Sequence, residues 1–159
     1  MVPLVILLVS FAVFRGLGLA GVAALDNGDL PLRMALFLVF LVTASAHWGR
    51  GRADLIRMVP PAFPRAAAIV TVTGVLEILG AVGLLVPVTA RAAAICLAIL
   101  LVALFPANIR AARERLTIMG RPAASVAVRS AIQVIFVSAL LAAAARNPDP
   151  GVFKERSTV

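Results

Sequence analysis

Residues Ala66–Pro87 read AAAIVTVTGVLEILGAVGLLVP, an apolar run with one carboxylate, Glu77, at its middle. As a helix rising 1.5 Å per residue, a run of this length crosses the ~30 Å hydrocarbon core of a bilayer. Glu77 then sits near the midplane, about 16 Å deeper than Ala66, where an ionised acid is strongly disfavoured. Its neighbours one turn away are Thr73 and Gly74 on one side, and Gly80 and Ala81 on the other. Small residues at these spacings admit a second helix, so this face is expected to pack inside a bundle. Buried there, Glu77 needs a partner, a proton or water.

Composition agrees. Of the 159 residues 62% are hydrophobic and 14% charged, and the mean hydropathy is +1.07. That balance is a membrane protein's, with room for several spans and for no separate soluble domain. The net charge of +8 comes mostly from arginine, because Lys154 is the only lysine. The arginines lie in loops between apolar runs, without aromatic interleaving, so nucleic acid is excluded as a partner. Cys96 is the only cysteine, which excludes an intramolecular disulfide and a cysteine metal cluster. No metal site is expected.

Around the central span the chain divides as follows. Val2 to Leu25 is a first apolar run broken by Arg15, and it lacks the basic start of a cleaved signal peptide. It reads as a retained N-terminal transmembrane helix, residues 1–25. Asp26-Asn27-Gly28-Asp29 form a turn, and Pro31 starts a second span from about Leu32 to Trp48. Trp48 has the character of an interfacial anchor, with His47, the only histidine, beside it. Gly49 to Arg65 reads as a connector holding one short amphipathic turn capped by Asp54, then a stiff proline-rich piece. The span at 66–87 returns through a tight turn into a fourth, Arg91 to Ile109. Pro106 bends that helix near its end, and Asn108 either repairs freed backbone groups or points into the bundle. It continues through Arg115, with Gly120 and Pro122 as its stop. The last span, Ser125 to Ala145, carries Arg129, placed to reach headgroups, and Gln133, expected to bond across helices. Residues 146–159 read as a polar C-terminal tail that frays.

The fold class is thus all-α, a polytopic transmembrane helix bundle. Arg50, Arg52, Arg57 and Arg65 occupy one connector, and Arg110, Arg113, Arg115 and Arg121 another. These connectors belong on one side of the membrane, and the positive-inside rule makes that side the cytoplasm. With five spans the N-terminus is cytoplasmic and the C-terminus external.

Two runs carry a family resemblance. HWGRGRADLIRMVPPAFPRAAAIVTVTGVLEILGAVGLLVPVTARAA and LLVALFPANIRAARERL together resemble the DoxX-like family of small bacterial integral membrane proteins. The features are His47-Trp48, the Met58-Val59-Pro60-Pro61 segment, Gly74 with Glu77 and Gly80, and Pro106-Ala107-Asn108. The resemblance implies a four-helix transmembrane core over residues 32–145, with the first helix as an addition. It also implies the bacterial inner membrane; the family is named after a subunit linked to quinone-dependent thiosulfate oxidation, but many members have no assigned activity, so the name transfers little chemistry.

Two functions follow as expectations. The leading one is a non-catalytic membrane module that binds a lipid or quinone-like molecule, or assists a membrane protein partner or a second copy of itself. The alternative is a quinone-linked redox or proton-transfer subunit with Glu77 and His47 as proton carriers. No cofactor motif is visible, and quinone is the one cofactor the reading admits. The expected polar pocket is His47, Glu77 and Asn108 around one interhelical space. A buried ion pair between Arg15 and Glu77 is expected if the first helix packs on the third.

Overall fold

The computed structural model describes residues 2–146. The chain folds into an all-α bundle of five long helices and one short one: α1 (Val2–Leu19), α2 (Asp29–Ser45), α3 (Arg52–Met58), α4 (Ala66–Leu85), α5 (Ala90–Arg113) and α6 (Val126–Ala145). Four of them, α1, α4, α5 and α6, are long and apolar enough to cross a membrane. This is a multi-pass membrane protein. At 17 residues α2 is shorter, at the lower end of what spans a bilayer.

Packing follows from where small residues stand. α2 touches α1, α4 and α6, and α5 touches α4 and α6, so α2, α4, α5 and α6 form a four-helix core with α1 laid against α2. The centre is filled by Leu36, Val39 and Phe40 of α2, Ala81 and Leu84 of α4, Leu97 of α5, and Phe136 and Leu140 of α6. Gly80 lets α5 come close, for a Cβ there would stand 2.5 Å from Leu97 Cδ2. Large apolar side chains such as Leu79, Ile99 and Val134 point outward instead, as helices solvated by lipid require.

Several local readings are corrected. The first helix stops at Leu19 and not Leu25, because Gly21 turns left-handed (φ +106°) and Ala23–Leu25 form a single 3-10 turn. That turn folds back onto the bare backbone of Gly18. α2 ends at Ser45, leaving His47 and Trp48 in the turn that follows. Asp54 does not cap α3. Gly51 stands at that position, and the Asp54 carboxylate accepts from Arg57 and, at 2.7 Å, from the Met119 amide. As expected, α5 runs on past Pro106, but it ends at Arg113 and not at Arg115.

Beyond α5 the chain makes a small hairpin, β1 (Thr117–Ile118) against β2 (Arg121–Pro122). Its two central residues, Met119 (φ +49°) and Gly120 (φ +77°), are both left-handed, the requirement of a type I′ turn. Arg57 donates to Thr117 O at 3.1 Å and Arg110 donates to Val59 O. The two arginine-rich connectors are therefore fastened to each other at one end of the bundle. Of the polar tail at 146–159, all but Arg146 lies outside the described residues.

Candidate functional site

The buried residues of α4 are Val70, Thr73, Gly74, Glu77, Ala81 and Leu84, spaced three and four apart along one seam. Glu77 thus faces the core, 6% exposed. Facing it across the seam is the C-terminal end of α2. The Thr43 hydroxyl lies 3.0 Å from Glu77 Oε2, and His47 Nε2 lies 3.4 Å from Oε1. Both carboxylate oxygens are thereby occupied by one stretch of chain.

The other imidazole nitrogen decides the proton arrangement. His47 Nδ1 lies 2.6 Å from Val70 O. A carbonyl oxygen can only accept, so Nδ1 carries a proton and donates it. Nε2 and Oε1 then share a single proton between them, as imidazolium with carboxylate or as imidazole with carboxylic acid. Without that proton, lone pairs would oppose each other in a buried site.

Arg52 completes the cluster from the first turn of α3. Its guanidinium donates to His47 O at 2.7 Å, to Thr71 Oγ1 at 2.9 Å and to Ala67 O at 3.1 Å. The turn holding His47 is thus tied to the start of α4. Gly74 makes room for it: a Cβ there would meet His47 Cβ at 2.7 Å and Trp48 Cη2 at 2.8 Å.

The structure brings His47 and Glu77 together but leaves two expected members apart. Asn108 does not join them. Its Oδ1 accepts from Arg129 Nη1 at 2.7 Å, and its amide makes a long 3.5 Å contact to Leu104 O within its own helix. The Arg15–Glu77 ion pair does not form, because α1 packs on α2 rather than α4. Arg15 instead lies 3.6 Å from Asp26, carried to it by the turn after α1. Gln133, expected to bond across helices, has its Nε2 buried without a hydrogen-bond partner. Thr43 and Arg52 escaped sequence reading. Thr43 had a signal, standing four residues before His47, whereas Arg52 was indistinguishable from its neighbouring loop arginines.

A second feature lies on the outer face of α4. Between α4 and α5 runs an apolar groove of about 370 Å³ lined by Leu76, Leu79, Gly80, Gly83, Cys96 and Leu100, among others. Gly80 and Gly83 bring α5 close to α4, with Leu97 and Ala93 packed where their Cβ atoms would stand, and the groove runs beside that contact. The single cysteine opens onto it, exposed. The groove lies on the half of the bundle nearest the α4–α5 turn. Among the described residues no three His, Cys, Asp or Glu side chains gather to hold a metal ion.

Residues 34–145 match the domain of unknown function DUF8561. The chain belongs to the DUF8561 family. The DUF8561 match runs from within α2 to the last residue of α6, so it takes in both the His47–Glu77 pair and the α4–α5 groove and leaves α1 outside. No curated protein and no solved structure matches the chain.

Proposed function

We propose that this protein is a non-catalytic integral membrane module of the bacterial cytoplasmic membrane that binds a lipid or quinone-like molecule by its chain. The supporting observation is the α4–α5 groove, whose apolar lining suits an acyl or isoprenoid chain. The His47–Glu77 cluster then acts as a latch that fixes the end of α2 on α4, with its hydrogen-bonding groups engaged inside the protein. The arginine-rich connectors face the cytoplasm, with the N-terminus cytoplasmic and the C-terminus external.

The test is lipid analysis of protein purified in mild detergent, comparing the wild type with Cys96→Phe, which fills the groove. The wild type retains a phospholipid or isoprenoid quinone, and the variant loses it by about tenfold. Equal retention by both would remove the groove as the binding site.

The proton shared by His47 and Glu77 favours a second reading, a quinone-linked proton-transfer subunit with these two residues as carriers, since reducing a quinone takes up protons. Under it, Glu77→Gln keeps bound quinone but stops its reduction by a supplied donor. Under the first reading no such reduction occurs in the wild type.

A further inference from the structure

The buried face of α6 is a seam of Phe136, Leu140 and Ala143. Carried back toward the helix start at the same three- and four-residue spacing, the seam reaches Gln133 and then Arg129. On α5 the same spacing leads from Leu97 through Leu101 and Leu104 to Asn108 and buried Ala111. Three polar side chains therefore stand where a bundle interior calls for apolar ones, all at the end bearing α3 and the hairpin.

Their hydrogen bonding is lopsided. Arg129 Nη1 donates to Asn108 Oδ1, and this uses the acceptor Asn108 offers to α6. Arg129 Nε and Gln133 Nε2 are buried with no partner. Among the described residues Arg33 Nε and Nη1 also lack a hydrogen bond, as does Arg15 Nη1, which lies 3.6 Å from Asp26 Oδ1. Nor does a protein carboxylate among the described residues neutralise Arg129. Asp26 is with Arg15, Asp29 with Arg146, Asp54 with Arg57, Glu77 with His47 and Glu114 with Arg110. A half-buried guanidinium without a counter-ion, its Nε shielded and unbonded, calls for an anion that accepts several hydrogen bonds.

We propose that Arg129, Gln133 and Asn108 form an oxyanion site at the α5–α6 seam, binding a phosphate group presented at the arginine-rich end of the bundle. The phosphate comes from a phospholipid headgroup or from free inorganic phosphate. The site is separate from the α4–α5 groove and does not depend on it. Arg129 supplies the charge and Asn108 holds the guanidinium by Nη1; binding requires the side chains to part, turning the shielded Arg129 Nε and Gln133 Nε2 toward the anion.

The experiment is thermal unfolding of the full chain in detergent, with sodium chloride holding ionic strength constant. One arm adds inorganic phosphate and the other a short-chain phosphatidylglycerol. The wild type is stabilised in at least one arm: phosphate alone identifies a free oxyanion, and phosphatidylglycerol alone identifies a headgroup. Arg129→Gln and Gln133→Leu each weaken the response by about tenfold, whereas Arg113→Gln, an exposed arginine at the same end, retains it. If Arg129→Gln does not fold, Gln133→Leu carries the comparison, since leucine continues the seam. The proposal is overturned if neither additive stabilises the wild type, if a folded Arg129 or Gln133 variant keeps the full response, or if Arg113→Gln loses it equally.

Discussion

His47 lies against the bare backbone of Gly74, so closely that a methyl group on Gly74 would stand 2.7 Å from the His47 Cβ. The contact lets the imidazole reach both Val70 O and Glu77 from a turn outside α2. Gly74→Ala is therefore expected to push the turn off α4. The loss is about 1–3 kcal/mol, the usual range for overpacking, read as a lowered unfolding temperature in detergent. An unchanged midpoint would mean that the turn gives way freely.

The Glu77 cluster predicts which double-mutant cycles couple. Glu77→Gln with His47→Asn should show a coupling energy of about 1–3 kcal/mol, because each change disturbs the same shared proton. Glu77→Gln with Arg15→Leu should be additive within about 0.5 kcal/mol, since Arg15 is engaged with Asp26. Coupling in the second cycle would restore the ion pair that the helix packing denies.

What the sequence disclosed, and what it withheld, follows from the range of each signal. The seam through Thr73, Gly74, Glu77 and Ala81 was legible, because helical spacing and small residues are local facts. That His47 lies at Glu77's depth was not, since it depends on α2 ending at Ser45 and the chain doubling back onto Gly74. Arg15 misled for the same reason: its depth matched Glu77, but which helix it packs on is a tertiary fact. Asn108 and Arg129 are 21 residues apart, and nothing in either segment announces the other. The hairpin had a signal in Met119-Gly120, masked by a methionine where asparagine or aspartate is usual.

Asp54 links the two arginine-rich connectors and gives the docked hairpin a pH dependence. The Met119 amide first, and then Arg57, hold its carboxyl below the usual aspartate range. A lowered folded-state value means that the contribution is present above the unfolded value, roughly pH 4, and is lost as pH falls through the folded one. Amide exchange at residues 117–122 should therefore lose protection in acid, normalised to the intrinsic rate. Asp54→Asn should lack that step. A step that persists in Asp54→Asn would assign it to another group.

Cysteines introduced one at a time into a Cys96→Ala background test the orientation. Positions 52 and 113 should react only from the cytoplasmic side, and positions 27 and 88 from outside, because α3 and the end of α5 are tied together at one end. Labelling of position 52 from outside intact cells would reverse the assignment.

Cys96 itself reports on the α4–α5 groove, since its thiol opens onto the lining where a lipid or quinone chain is proposed to lie. The most direct measurement is the rate of Cys96 alkylation in delipidated protein, with and without added isoprenoid quinone or phospholipid. The account predicts saturable protection, slowing alkylation by about tenfold for the ligand that binds. An alkylation rate that no added quinone or phospholipid changes would contradict it.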